Sequence, residues 1–218
     1  MQKASILIAD DHRVVMEGIK SALREYPEFE VVGRALNGRE AVKLVKQLMP
    51  DIVIMDISMP DLNGVDAALQ IKKFNPNIAV IIFSMYSNKE YVVDLFKAGV
   101  SAYVLKEDPM TELILAIKAA MGGGTYFSTM VQNVLLNHMK ALEMGKRNIK
   151  DAFEELSLRE REVFQLLVEG TSIKDTAKKL DVSPKTVETH KYNIMEKLNV
   201  RTVSELTKIA IKKKIIQI

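Results

Sequence analysis

The chain contains no cysteine. That excludes disulfides, thiolate metal centres and cysteine nucleophiles, and it fits a cytoplasmic protein. Histidine is scarce, with three residues that form no sequence cluster. Long apolar runs are missing as well. Ile78-Ala79-Val80-Ile81-Ile82-Phe83 is typical of the apolar runs present, whereas a membrane span needs roughly 18 or more apolar residues. Residues 1–9 lack a basic stretch followed by a long apolar one, so no secretory signal is expected. There is no low-complexity segment and no internal repeat. What remains is ordinary for a globular chain: 218 residues, 48% apolar and 27% charged, enough for one or two domains.

Net charge is small, +3, but unevenly placed. Residues 1–125 hold 14 basic and 16 acidic side chains, and residues 126–218 hold 17 and 12. An acidic first part joined to a basic second part suggests that the second meets a polyanion.

Short β-branched apolar runs at 5–9, 30–33, 51–55, 78–83 and 102–105 predict strands buried on both faces of a parallel sheet. Amphipathic stretches at 14–23, 38–48, 65–74, 89–98 and 109–121 predict the intervening helices. Five β/α repeats imply an open, doubly wound, five-stranded α/β domain over residues 1–124, closed by Gly122-Gly123-Gly124. Residues 125–151 are read as a linker carrying a helix at 129–144, and 145–151 as its polar end. Residues 152–218 show only short helical patterns, which predicts a small all-α domain.

Ligands of doubly wound sheets bind beyond the carboxyl ends of the strands. Asp10 and Asp11 follow the first predicted strand, Asp56 the third, Ser84 the fourth and Lys106 the fifth. Three carboxylates on one edge repel one another, and a hard divalent cation, Mg²⁺, relieves this through oxygen ligands. Asp10, Asp11, Asp56 and the backbone carbonyl of Ser58 are the candidate metal ligands. The Ser84 hydroxyl and the Lys106 ammonium suit the oxygens of a phosphoryl group. A carboxylate can itself be the nucleophile, and Asp56, on a central strand, is the expected acceptor. Asp61-Leu62-Asn63-Gly64 reads as a turn.

Ile8-Ala9-Asp10-Asp11-His12, Ile54-Met55-Asp56-Ile57-Ser58-Met59-Pro60, Gly64, Ser84 and Lys106 together resemble the receiver domain of response regulators. The resemblance implies that Asp56 accepts phosphate from a partner histidine kinase with Mg²⁺, and that Ser84 and Tyr103 move together as a switch. Many receivers have proline directly after the lysine. Here Glu107 follows Lys106 and the nearest proline is Pro109.

In the C-terminal part, helical patterns at 158–168, 172–180, 184–198 and 204–215 are separated by short turns. Ser183 suits an N-cap and Pro184 a first helical position. Two helices joined by a short turn make a DNA-reading unit, with the second helix in the major groove. Val187, Ile194 and Leu198 are expected to face the core. Lys185, Glu188, Thr189 and Tyr192 are expected to face outward with Thr186 and Lys191 beside them, all six candidates for DNA contact. Glutamate can accept from cytosine, threonine can meet a thymine methyl, and lysine suits phosphates. His190 is read as packing or a phosphate contact, and Lys212-Lys213-Lys214 as a solvated tail.

Leu156-Ser157-Leu158-Arg159-Glu160-Arg161-Glu162-Val163, Gly170, Ser183-Pro184-Lys185-Thr186-Val187-Glu188-Thr189-His190, Ile194 and Lys197-Leu198 resemble the LuxR-type helix-turn-helix. The whole chain is thus similar to the NarL/FixJ family of two-component response regulators. It departs from the common pattern at Ile173-Lys174-Asp175-Thr176 and at Val203. The resemblance implies a transcription regulator whose receiver masks the DNA-reading helix until phosphorylation. It also implies a homodimer on promoter DNA, built on Leu206, Ile209 and Ala210 of the last helix. No enzymatic turnover is expected. An aspartate-nucleophile phosphatase would need an acid two residues beyond Asp10, where His12 stands. A regulator with a phosphate-independent input, or an interaction module without DNA binding, are the other readings.

Overall fold

The computed structural model describes residues 3–143, 152–213 and 215–216. Two compact units divide the chain, residues 1–147 and 148–218. Met144, the stretch 145–151 read as the end of the linker, and Lys214 lie outside the described residues.

In the first unit, strands β1 (Ala4–Ala9), β2 (Phe29–Ala35), β3 (Ile52–Met55), β4 (Ala79–Ser84), β5 (Ala102–Leu105) and β6 (Tyr126–Phe127) alternate with helices α1 (Arg13–Leu23), α2 (Gly38–Leu48), α3 (Gly64–Phe74), α4 (Lys89–Lys97) and α5 (Met110–Met121). The sheet order is β2-β1-β3-β4-β5-β6, and every pair is parallel. Side chains along a strand point alternately to the two faces, so continuous apolar runs supply two cores. Leu7, Val53, Val80, Ile82 and Tyr103 pack with α2, α3 and α4. Ile6, Ile8, Ile54, Ile81 and Val104 pack with α1 and α5.

The sheet has six strands rather than five. The extra one holds only Tyr126 and Phe127, too short for an alternating pattern to register. It forms because Gly123 takes φ +73° and Gly124 N–H closes α5 on the Ala119 carbonyl, which turns the chain back alongside β5. Helix α6 (Thr129–Glu143) follows and packs across α4, burying Val131 and His138. The segment read as a linker thus supplies a strand and a helix to the first unit, at least to Glu143.

The second unit runs through a 3₁₀ turn (Ala152–Glu155) and helices α7 (Leu158–Val168), α8 (Ile173–Leu180), α9 (Pro184–Lys197) and α10 (Val203–Lys212). Each helix begins with a hydroxyl cap. Ser157 and Thr202 form reciprocal boxes with Glu160 and Glu205, while Ser172 and Ser183 accept from Asp175 N–H and Thr186 N–H. Pro184 stands at the start of α9, where its missing N–H is not needed. Phe164, Leu166, Val187, Ile194, Leu206 and Ala210 form the core. Of the three residues named for pairing on α10, Leu206 and Ala210 are buried within their own unit, while Ile209 is half-buried.

Candidate functional site

The carboxyl edge of the sheet brings four of the five expected side chains into one pocket and leaves the fifth, Asp11, on its rim. Asp10 and Asp56 leave the ends of β1 and β3, neighbouring strands held in register by Asp56 N–H donating to the Ala9 carbonyl at 2.8 Å. Both carboxylates are buried. Lys106, beyond β5, reaches back between them, with Nζ 2.7 Å from Asp10 Oδ2 and 3.0 Å from Asp56 Oδ2. Ser84 ends β4 and is fully buried, and its Oγ has no direct hydrogen-bond partner. Asp56 Oδ1 accepts from the Ile57 N–H at 2.7 Å.

Burial pushes the Asp56 carboxyl above the usual carboxylate range, Asp10 adds to this, and Lys106 opposes it. Burial also works against the Lys106 ammonium, but the carboxylates of Asp56 and Asp10 outweigh it and raise its pKa. The pocket therefore holds more negative charge than one ammonium neutralises. This is the condition that a divalent cation relieves. Carboxylate oxygens of Asp10, Asp11 and Asp56, together with a nitrogen of His12, lie within 4.8 Å of one another. The donor set fits a hard cation, with the three acids as its holders. Ser58 is half-buried in the loop beyond Asp56.

That loop is clamped by two glycines. Gly64 opens α3 behind the Asn63 cap, and its N–H donates to the Ile57 carbonyl at 2.8 Å. A Cβ at Gly64 would sit 1.8 Å from the Asp56 carbonyl oxygen, and one at Gly38 would sit 2.3 Å from that of Leu62. The expected turn is real, but its left-handed residue is Asp61, φ 66°. Gly64 serves close approach instead, and from sequence alone its glycine character pointed only to a turn. Beyond Lys106, where proline is missing, Asp108 closes the loop: its Oδ2 accepts from Leu105 N–H and its N–H donates to the Leu105 carbonyl, both at 3.0 Å. Tyr103 is fully buried, and its hydroxyl donates to the Tyr86 carbonyl at 2.5 Å, tying β5 to the loop after Ser84.

On the second unit, α9 presents Lys185, Glu188, Thr189 and Tyr192 to solvent, with Thr186 and Lys191 half-buried. Tyr192 is 68% exposed. The Thr186 hydroxyl is engaged with Ser183 Oγ at 2.8 Å, and Thr189 Oγ1 donates to the Lys185 carbonyl at 3.0 Å. Val187 and Ile194 are buried as expected, and Leu198 packs against them half-buried.

Residues 6–118 match the response regulator receiver domain model, and residues 154–210 match that of the bacterial regulatory proteins of the luxR family. The oxygen regulatory protein NreC of Staphylococcus epidermidis is 38% identical over 217 residues, spanning 97% of this chain and 99% of that protein. The Salmonella typhimurium RcsB response regulator, solved in a study of its conformational dynamism for DNA interaction, is 27% identical. It aligns at TM-score 0.59 over 97% of this chain and 100% of that one. A solved RcsB–DNA complex aligns at TM-score 0.59 with 26% identity, covering 99% and 100%.

Proposed function

Because the chain belongs to the NarL/FixJ response regulators, in which a receiver domain is joined to a LuxR-type DNA-binding domain, we propose that Asp56 is its input and the exposed face of α9 its output. The protein is a DNA-binding transcription regulator governed by phosphorylation. A sensor histidine kinase is the donor. An Asp56 carboxylate oxygen attacks the phosphorus of the kinase phosphohistidine, the P–N bond breaks, and the imidazole leaves with the electron pair. Asp10, Asp11, Asp56 and the Ser58 carbonyl would hold Mg²⁺, which would supply positive charge to offset that of the phosphoryl oxygens. Lys106 moves from pairing two carboxylates to pairing a phosphoryl oxygen, and the Ser84 hydroxyl donates to another. Their shift toward the phosphoryl group carries the loop beyond β4 with it, and Tyr103 is the internal strut that follows.

The observation that carries this reading is a buried carboxylate with an ammonium at 3.0 Å and a partnerless buried hydroxyl at the neighbouring strand end. The output reads promoter DNA, with Lys185 and Lys191 on phosphates and Glu188, Thr189 and Tyr192 on base edges, and it acts in the cytoplasm as a phosphorylation-promoted homodimer. Intact-mass measurement after acetyl phosphate and Mg²⁺ tests the input. One added phosphoryl group is expected, dependent on the metal and absent in Asp56→Asn. A wild-type protein that gains none, from acetyl phosphate or from any kinase phosphodonor, would overturn it.

A further inference from the structure

The phosphoacceptor pocket lies where the strands end, and a second recess lies where they begin. An open groove of about 520 Å³ runs along the amino ends of β1, β3 and β4 and the end of α5. Pro50, Ile52, Ile78 and Ala79 line it and are buried. Met49 and Met121 line it too, and each is about half exposed. Methionine is flexible and polarisable, and such side chains adapt to the shape of a partner. The polar lining is Lys3, Asp51, Asn75 and Asn77. Asp51 Oδ2 accepts from the Ser5 hydroxyl at 2.6 Å and from the Ser5 N–H at 2.8 Å, which fixes the carboxylate. Asn75 Oδ1 accepts from the Asn77 N–H at 3.0 Å, so Asn75 offers its amide N–H groups.

The apolar surface continues past the groove. Phe74, next to Asn75, is 46% exposed, and Lys46 Nζ stands 5.7 Å from the centre of its ring, which joins the end of α2 to the end of α3. Leu48, next to Met49, is exposed as well. Single exposed apolar residues are ordinary, but Leu48, Met49, Phe74 and Met121 gathered around one groove mark an interaction site. The charge here is positive. Lys3, Lys46 and Lys73 are exposed, and Lys72 donates to the Pro76 and Ile78 carbonyls at 2.7 and 3.1 Å. Among the described residues, Asp51 is the one acid that lines the groove. The carboxyl ends of α2, α3 and α5 meet this edge, but each offsets only about half a positive charge, and Lys3 belongs to no helix. A recess with a fixed acceptor and amide donors matches a peptide backbone better than a lipid surface. We propose that the amino edge of the receiver sheet docks an acidic amphipathic peptide segment of a partner protein. Its apolar side chains sit between Met49 and Met121 and on Phe74, and its carboxylates on Lys3, Lys46 and Lys73. The four residues of β3, Ile52–Met55, separate this edge from Asp56 by about 13 Å, so partner and phosphoryl group can be held at once.

Selection of random phage-displayed peptides on the full-length protein tests it, with excess random duplex DNA present to occupy the basic second unit. Peptides that combine acidic and large apolar residues should be enriched. Fluorescence anisotropy with the enriched peptides should show affinity falling about tenfold or more in Phe74→Ala and in Met121→Glu. A double variant, Lys46→Glu with Lys73→Glu, should lose as much and should prefer the same peptides remade with lysine in place of their acids. Acetyl phosphate should phosphorylate every variant at the wild-type rate, which shows that each is folded, and bound peptide should leave that rate unchanged. No enrichment, enrichment of peptides without acids, or affinities that the variants leave intact would overturn the proposal. Competition between peptide and phosphorylation would also overturn it, by placing the peptide at the other edge of the sheet. Sedimentation with phosphatidylglycerol vesicles, lost in the double variant and with no peptide enriched, would assign the patch to a membrane instead.

Discussion

Gly64 has no room for a single added carbon, because that carbon would lie 1.8 Å from the backbone oxygen of Asp56. Gly64→Ala must therefore push the acceptor loop or the start of α3 aside. We expect a loss of about 1–3 kcal/mol in receiver stability, as for other overpacked positions, visible in urea denaturation, together with slower phosphorylation by acetyl phosphate. Asp56 acts on stability in the opposite sense. Burial and Asp10 raise its pKa above the ordinary carboxylate range, so the folded state holds its proton at pH values where the unfolded state has lost it. Folding is then penalised as pH rises through that window. Asp56→Asn removes the penalty, so with chelator present its melting temperature should exceed wild type at pH 7. The difference should shrink as pH falls through the raised folded value and be gone at the ordinary carboxylate range, where both states hold the proton. A variant less stable than wild type at pH 7 would show that the Lys106 pairing outweighs burial.

At the scale of elements, the helix-turn-helix unit is tied by Glu160, which does two jobs. Its carboxylate completes the Ser157 box at the start of α7, and Lys197 at the end of α9 lies 2.7 Å away. Burial alone would raise the Glu160 pKa, but the hydrogen bonds from Lys197 and Ser157 outweigh it and lower it. Its contribution is therefore present above the ordinary carboxylate range and is lost as pH falls through the lowered folded value. Glu160→Gln should cost the second unit about 1–2 kcal/mol at pH 7 and converge with wild type in acid, as thermal melts across pH would report. Within α8, Thr176 departs from the usual family pattern. It is fully buried, and its hydroxyl has no partner. Thr176→Val keeps the shape and removes the desolvated hydroxyl, so a gain of about 1 kcal/mol is expected in the same melts.

Across the whole molecule, the acidic and basic halves assign input and output to different units. DNA affinity should fall steeply with salt. Lys185→Ala and Lys191→Ala should each weaken binding on all sequences and lower the salt slope by about one. Glu188→Ala should instead relax base preference, with a discrimination loss of about 1–3 kcal/mol at one position. Fluorescence anisotropy on specific and random duplexes separates the two effects. Equal losses on both duplexes for Glu188→Ala would remove it from the base-reading set.

The alternation of short apolar runs with amphipathic stretches was enough to read the doubly wound sheet, because parallel strands buried on both faces leave an unbroken apolar signature. The places of Asp10, Asp56, Ser84 and Lys106 followed from the same count, since each ends a strand and parallel strands end on one edge. The face of α9 was legible from its period. Other features were settled only by tertiary structure. Tyr126 and Phe127 become a strand because glycine geometry delivers them to an open edge. The helix at 129–143 joins the first unit because α4 offers it an apolar face. Gly64 is glycine because a neighbouring backbone occupies its side-chain space. Leu206 and Ala210 face inward because α7 stands on that side of α10. His12 meets the acids because the chain turns where β1 gives way to α1. All of these depend on which atoms arrive beside a residue from elsewhere in the chain, and periodicity along one segment carries no record of that.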